Sequence, residues 1–214
     1  MNRLAGSYLI CLAVWTGSAW AEQPVVYAVD PAASSIHWRV YKAGAFARFG
    51  HNHVVSVHDL SGQVMRDPAS GAGTFELTIP VAGLVIDDPA LRGLYGEEFS
   101  SKPSENDIAG TRENMLGDRV LDAMHYPMLR ISGRADPGAH QVATLAVTVE
   151  ILGRTVAFSV PCSISVEDDV VAASGEFRLT HAELGMEPFN VMMGALAVAP
   201  ELDFSFDVRA TRVD

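Results

Sequence analysis

The chain has few cysteines and few positive charges. It has 214 residues with two cysteines, and its 15 lysine and arginine residues are outnumbered by 26 aspartate and glutamate residues, a net charge of −11. Because affinity for nucleic acid comes largely from Lys and Arg contacts to phosphates, this balance argues against nucleic acid as a partner. It argues equally against adsorption to anionic lipid surfaces. With 49% hydrophobic and 19% charged residues, the chain still has enough apolar side chains for a sizeable core.

Local motifs of catalysis are missing as well. The sequence has no G-x-S-x-G nucleophile elbow, no H-E-x-x-H pair, no phosphate-cradling loop and no dinucleotide fingerprint. Adjacent acids at 87–88, 97–98 and 168–169 lie in loop-like contexts, and we interpret them as solvated surface because neighbours on a regular element point apart. We therefore predict that the protein is not an enzyme. A hydrolase with a dispersed Ser-His-Asp set stays the weaker alternative, since a triad is defined by geometry.

The first 21 residues are typical of a secretory signal peptide. Arg3 supplies a short positive region, an apolar stretch follows from Leu9 to Trp15, and Ala19-Trp20-Ala21 forms an A-x-A cleavage site. We predict a signal peptide at 1–21 and a single domain at 22–214, with an uncleaved anchor as the main alternative. Cleavage would remove one positive charge and no negative charge, which takes the net charge from −11 to −12. No later apolar run is long enough for a membrane-spanning helix.

Cleavage would leave Cys162 as the one cysteine, since Cys11 lies in the signal segment. An intramolecular disulfide is then excluded, so the stability of the domain must come from packing. Cys162 lies on an apolar stripe, which indicates a small buried side chain rather than a reactive thiol. Lipid modification of Cys11 stays an alternative, although its neighbours Tyr8 and Ile10 do not favour it.

Alternation of apolar and polar residues dominates the rest of the chain. Every second residue from Val156 to Val166 is apolar, which places one face of a strand against an apolar interior. Pro161 indicates an edge, a bulge or a bend within this strand. The same alternation predicts further strands, at 36–41, 53–65, 74–79, 128–133, 143–151, 170–180 and 202–209.

One region departs from this period. Ser104 is a candidate N-cap with Asp107 three residues later, and apolar residues then recur with helical spacing from Ile108 to Leu121. Two glycines weaken this pattern, so we predict one or two short helices that end before Tyr126-Pro127. The sequence thus predicts one all-β, antiparallel domain with a short helical crossover. Alternation alone does not distinguish a sandwich from a barrel, or a filled barrel from a hollow one.

Six short motifs are spread in order over residues 25–210. They are YAVDPAASSI at 27–36, LSGQV at 60–64, the stretch 116–127 that ends in LDAMHYP, the pair GEFRL and LGM within 175–186, and LDFSFDV at 202–208. In order and spacing they resemble the YceI family of exported lipocalin-like proteins. The resemblance implies an eight-stranded antiparallel lipocalin-like barrel with an apolar tunnel, and a ligand with a long isoprenoid chain, such as a quinone or a polyprenyl lipid. Together with the signal segment, it implies export, with the periplasm favoured over full secretion.

The segment Phe49-Gly50-His51-Asn52-His53 departs from the commonest family pattern and resembles a histidine-bearing subgroup. In a strand, His51 and His53 would point to one face and could meet a metal or a haem edge. A third ligand would then come from another histidine, namely His37, His58, His125 or His181. We predict no metal. The alternatives for the pair are hydrogen bonds to the backbone at a strand start, contact with the polar head of a ligand, and metal or haem ligation.

Large apolar residues on the predicted inward stripes are the candidates for a tunnel wall. They are Trp38, Val40, Phe75, Leu77, Phe158, Val160, Phe177, Phe204 and Phe206. A filled core would explain any one of them, but the resemblance favours a cavity for the set. Met186, Met192 and Met193 are candidates for an adaptable mouth, since methionine repacks easily.

The sequence therefore predicts a non-enzymatic protein that binds, carries or sequesters an apolar isoprenoid-like lipid in the barrel interior. No cofactor is predicted besides that lipid. A metal- or haem-associated protein that uses His51 and His53 is the alternative. The oligomeric state stays open, with a dimer among the alternatives.

Overall fold

A computed structural model describes residues 23–137, 142–167 and 169–213. The predicted signal peptide at 1–21 lies outside the described residues, as do Cys11 and Asp168. The strands of the described part are β1 Val25–Val29, β2 Ser35–Ala43, β3 His53–Val57, β4 Ser61–Arg66, β5 Gly73–Pro80, β6 Leu84–Ile86, β7 Met128–Ala135, β8 Ala143–Ile151, β9 Arg154–Glu167, β10 Val170–Thr180, β11 Asn190–Val191 and β12 Leu196–Arg212. Its α-helices are α1 Pro89–Arg92 and α2 Glu105–Leu116.

Eight of these strands close into an antiparallel barrel. Their order is β1-β4-β5-β7-β8-β9-β10-β12, and β12 pairs back to β1. One edge of β12 pairs with β10, and its other edge pairs first with β2, up to Asp207, and then with β1 from Ala210 to Arg212. Strands β3 and β6 continue the sheet from β2, and β11 pairs with the start of β12. The predicted eight-stranded antiparallel barrel is confirmed.

Most strand predictions agree with the structure, and one is wrong. The predicted strands at 143–151 and 170–180 have the bounds of β8 and β10. The prediction of one strand over 53–65 fails, because β3 ends at Val57 and β4 begins at Ser61. The two strands have different partners: β3 pairs with β2 and β6, whereas β4 pairs with β1 and β5. Leu60 is buried between the two strands, so apolar residues continue across the break even though their alternation does not.

The helical crossover connects β6 to β7. The predicted N-cap of α2 is present, since Ser104 Oγ accepts from Asp107 N at 3.2 Å and the Asp107 carboxylate accepts from Ser104 N at 2.8 Å. Helix α1 begins after Asp88, whose side chain accepts from the backbone N–H groups of residues 90 and 91. In the described part of the chain, no helix is long and apolar enough to cross a membrane.

The hydrophobic core lies inside the barrel and is built from alternate strand residues. Its buried members include Leu77, Ile79, Leu145, Val147 and Val160. Cys162 belongs to the same cluster, and burial raises the pKa of its thiol. This placement agrees with the prediction of a small buried side chain at Cys162.

Candidate functional site

The barrel encloses a cavity of about 650 Å³. This volume lies within the range of roughly 300–1,000 Å³ that is usual for small-molecule sites. The cavity is lined by all nine residues predicted for a tunnel wall, namely Trp38, Val40, Phe75, Leu77, Phe158, Val160, Phe177, Phe204 and Phe206. The interior is therefore hollow, which the sequence pattern left open. That these residues contact a ligand stays a prediction.

Five aromatic rings form one side of the cavity. The ring of Phe177 stacks on that of Phe204, with centroids 5.0 Å apart and an interplanar angle of 9°. Phe158 lies 5.9 Å from Phe177, Phe206 meets Phe177 edge-on at 6.2 Å, and Trp38 lies 5.9 Å from Phe204. Such pairs favour fixed relative orientations of the rings. The result is a continuous apolar wall made by β2, β9, β10 and β12, against which a chain-like ligand can pack.

Polar side chains of the cavity lining gather at one end of the barrel. His51 and His53 lie there together with residues of α2, namely Asn106, Asp107, Thr111 and Asn114. This end holds β3 and the start of β12, because β2 pairs with both. Arg66 of β4 and Thr74 of the next strand, β5, also line the cavity. Arg66 lies beside β1, which pairs with the far end of β12. The polar cluster and Arg66 are thus at opposite ends.

His53 is the first residue of β3 and is held by Asp87. Its Nδ1 lies 2.7 Å from Asp87 Oδ2, while Asp87 Oδ1 accepts from Val54 N at 2.9 Å and from Arg92 Nη1 at 2.6 Å. Burial of the Asp87 carboxyl would raise its pKa, but the hydrogen bonds from His53, Val54 and Arg92 together lower that pKa below its usual value. The carboxylate is therefore charged at neutral pH and can only accept, which places the proton of His53 on Nδ1.

Arg92 anchors this arrangement from the buried side. Its guanidinium donates to the backbone oxygens of Asn52 at 2.6 Å, of Phe99 at 2.9 Å and of Ser101 at 2.9 Å, besides its ion pair with Asp87. One buried side chain thus joins β3 to the segment that follows α1. The position of His53 is set by this network and not by β3 alone.

Asp87 and Arg92 are functional candidates that the sequence reasoning missed. The interpretation of the acids at 87–88 as solvated surface is wrong for Asp87, whose side chain is fully buried. Asp87 adopts a left-handed φ of 58° directly after β6, and this turns it toward β3. Aspartate tolerates that conformation better than most residues. The available signal was an acid placed between a short apolar strand and the helix start at Asp88-Pro89.

His51 lies before β3, so the expectation that both histidines share one strand face fails. The two rings are 6.2 Å apart at 70°, and His51 reaches Ser101 Oγ at 3.3 Å and Asp107 Oδ2 at 3.8 Å. Among the described residues, no three His, Cys, Asp or Glu side chains are grouped so that they could hold a metal ion. The geometry therefore gives no support to the metal alternative.

Of the predicted third ligands, His181 also lines the cavity, but none is grouped with His51 and His53. Three of them have their own hydrogen-bond partners: His37 bonds to Tyr95, His125 to Asp122, and His181 to the backbone oxygen of Pro200. His58 is exposed in the turn after β3. The structure thus does not bring any of these histidines into one set with His51 and His53.

The three methionines predicted for a mouth separate in the structure. Met186 lines the cavity, whereas Met192 and Met193 are exposed. Met192 and Met193 both have left-handed φ values, 52° and 56°, which turn the chain just before β12. Of the three, Met186 is the one placed to contact the cavity contents.

A second polar cluster lies on the outer face of the barrel. Asp203 of β12 accepts from Tyr41 Oη at 2.7 Å and from Arg178 Nη2 at 3.0 Å, and Arg39 Nη2 lies 3.4 Å away. Burial and the bond to Asp203 raise the pKa of Tyr41 to about 12. The neighbours of Asp203 in β12, Leu202 and Phe204, line the cavity, so this cluster stabilises the strands that carry the aromatic wall.

The geometry agrees with a comparison to known families. A family model described as the YceI-like domain matches residues 27–210. The chain belongs to the YceI-like family. YceI-like barrels form a lipid- and polyisoprenoid-binding fold whose members are generally non-enzymatic binding proteins. Membership of a histidine-bearing subgroup stays a prediction.

Solved structures of other proteins share the fold of this YceI-like chain. The chain is similar to Burkholderia cenocepacia BcnA, with a TM-score of 0.61 and 18% identity over 86% of this chain and 99% of that one. It is also similar to a Campylobacter jejuni YCEI protein that crystallizes with large solvent channels, with a TM-score of 0.53 and 12% identity over 75% of this chain and 85% of that one. At these identities the likeness shows the fold alone. No match to a curated protein sequence was found.

Proposed function

We propose that this YceI-like protein binds an apolar, isoprenoid-like lipid in the barrel interior and carries or sequesters it without catalysing a reaction. The observation that carries the proposal is the cavity of about 650 Å³ with its continuous aromatic wall. Most of its lining consists of valine, isoleucine, leucine and phenylalanine. These side chains can pack against a hydrocarbon chain, and they have no reactive group.

The energetics of burial suit a long hydrocarbon chain. Burying apolar surface stabilises by roughly 25 cal/mol per Å², or about 0.8 kcal/mol for each CH₂ group. A prenyl chain of several units can therefore bind tightly with few polar contacts. We expect the methyl branches of such a chain to pack between the rings of Phe158, Phe177 and Phe204 and the aliphatic residues of the cavity lining.

Such a carrier is useful in an aqueous compartment that lies between or outside membranes. The sequence predicts export from its first 21 residues, and YceI-like proteins are typically periplasmic. We therefore propose the periplasm as the place where this protein holds its lipid.

The direct test is to purify the protein from exporting cells and identify co-purifying lipids by mass spectrometry of an organic extract. The change Leu145→Trp, at a buried residue that lines the cavity, should greatly reduce the amount of bound lipid by filling the interior. Thr144→Trp is the matched control, because Thr144 is the exposed neighbour in the same strand β8. A folded wild-type barrel that carries no lipid and takes up no added prenyl lipid would refute the proposal.

A further inference from the structure

The edge of the His53 ring that faces the cavity has a defined chemical character. Because Asp87 fixes a proton on Nδ1, the ring in its neutral form presents the lone pair of Nε2 on its other edge. Within the described part of the chain, Nε2 has one recorded polar contact, with Thr111 Oγ1 at 3.5 Å. That distance exceeds the roughly 2.7–3.2 Å of a well-formed hydrogen bond. His53 and Thr111 both line the cavity, so Nε2 is an acceptor available to a ligand.

The charges around this end of the cavity are balanced. The positive charge of Arg92 is paired with the negative charge of Asp87. Lys42 and Asp107 both line the cavity and carry opposite charges, and Lys42 Nζ also donates to the backbone oxygen of Gly50 at 3.0 Å. The remaining lining includes the neutral amides of Asn106 and Asn114. Phosphate sites in proteins are usually built from arginine, lysine or several backbone N–H groups. The surroundings of His53 therefore suit a neutral head group better than an anionic one.

We propose that the cavity takes an apolar chain with a hydroxyl head group, and that the hydroxyl donates its hydrogen bond to His53 Nε2. This inference rests on the proposed lipid-binding function and deepens it. The class of ligand comprises prenols and other long alcohols or phenols. His53 acts as the acceptor, Asp87 and Arg92 are positioning residues that fix the tautomer and the ring, and the chain extends from this end along the aromatic wall.

Three ligands with the same chain separate this proposal from its alternatives. Geranylgeraniol, its methyl ether and its monophosphate share twenty chain carbons and differ in the head group alone. A change in the intensity or wavelength of Trp38 emission reports their entry, since Trp38 lines the cavity, and the change Trp38→Phe identifies its share of the total fluorescence. We expect the alcohol to bind about 5-fold more tightly than the ether, the ratio that one neutral hydrogen bond provides, and more tightly than the phosphate.

Two substitutions assign the preference to one atom. In His53→Asn the side-chain amide can still donate to Asp87, but no atom occupies the place of Nε2. This variant should bind the alcohol and the ether equally while its affinity for the ether stays near that of the wild type. His51→Asn is the matched control at the neighbouring histidine, which also lines the cavity, and should keep the preference for the alcohol.

The outcomes of these measurements are distinguishable. Equal binding of the alcohol and the ether by the wild type, tighter binding of the phosphate, or an unchanged preference in His53→Asn would each overturn the assignment of a hydroxyl head to His53. In all three cases the apolar chain still binds, so the proposed function stands. Failure of all three ligands to enter the folded wild-type protein would instead refute the lipid-binding function.

Discussion

At the scale of single residues, the buried Asp87 carboxylate has the largest consequences for stability. Its three hydrogen-bond partners come from β3 and α1, and its ion pair with Arg92 is fully enclosed. Removing one partner of a buried ion pair typically costs about 3–5 kcal/mol, because the other charge is left without compensation. The network is therefore a stability element as well as the support of His53.

We expect Asp87→Asn to lower the free energy of unfolding by about 3 kcal/mol, since it leaves the Arg92 guanidinium buried without its counterion. Urea unfolding followed by circular dichroism measures this change. Asp88→Asn is the matched control: Asp88 caps α1, and asparagine caps helices as well as aspartate does, so its effect should stay below about 0.5 kcal/mol. Equal effects of the two changes would contradict the role given to Asp87.

The contribution of the Asp87 carboxylate to the stability of the protein should depend on pH. The pKa of Asp87 is lower in the folded protein than in the unfolded chain. Its contribution to the free energy of unfolding is therefore complete above the pKa of the unfolded chain, and it is lost as the pH falls through the pKa of the folded protein. We expect the difference in unfolding free energy between the wild type and Asp87→Asn to shrink as the pH is lowered from about 6 to about 3. A difference that is constant over this range would show that the charge of Asp87 is not the cause.

Prediction from the sequence succeeded at regular positions and failed at irregular ones. Phe158 and Phe206 could be assigned to the interior because a strand alternates its faces with a period of two. Asp87 could not be assigned, since its left-handed backbone conformation ends the period of β6 and turns the chain. Arg92 is invisible to the same reasoning, because arginine is rarely buried and its partners come from three separate segments.

At the scale of elements, glycines determine how closely the barrel strands and their rings approach. Gly133 of β7 lies opposite Phe75 of β5, and Gly175 of β10 lies opposite Phe206 of β12. A Cβ atom on Gly133 would come within 2.5 Å of the Phe75 ring and 2.6 Å of the Ala146 carbonyl oxygen. Both glycines therefore leave space in which a ring of the cavity wall can lie against the neighbouring strand.

We expect Gly133→Ala to destabilise the barrel by about 1–3 kcal/mol, as overpacking in a core usually does. Gly110→Ala in α2 is the opposite case, because nothing lies within 4 Å of the added methyl group. There the helix should gain up to about 1 kcal/mol, the difference in helix propensity between alanine and glycine. Thermal unfolding of both variants gives the sign of each effect. Stabilisation by Gly133→Ala would contradict the close approach of Phe75.

The elements themselves could be predicted where local chemistry and periodicity agree. The spacing of Ser104 and Asp107 predicts a capping box at the start of α2, and the structure contains that capping box. The pairing of β12 with four other strands could not be predicted, because one long alternating segment gives no sign of which neighbour lies at which edge. The break between β3 and β4 was hidden for a different reason: the buried Leu60 adds an apolar residue between the two strands.

At the scale of the whole molecule, the barrel is closed and hollow, and alternation predicts neither property. An inward valine or phenylalanine shows the same pattern whether its neighbours across the barrel touch it or leave space. The eight-stranded barrel with an interior tunnel came instead from the resemblance of ordered motifs over residues 25–210. Closure follows physically from β12, which is long enough, at 17 residues, to pair with β2 and then with β1 along one edge.

The finite cavity makes a prediction about the length of the ligand. In a series of prenols from C10 to C15 to C20, binding should tighten as more chain is buried, by up to about 0.8 kcal/mol for each CH₂ group. The gain should stop once the chain fills the cavity of about 650 Å³, because further carbons would remain in water. The rise in thermal stability at a fixed excess of each prenol measures the series, since a ligand at 100 times its Kd stabilises by about 2.7 kcal/mol.

In Leu145→Trp the gain in affinity should stop at a shorter chain, whereas Thr144→Trp should follow the wild type. Stabilisation that is independent of chain length would place the ligand on the surface of the barrel and not inside it.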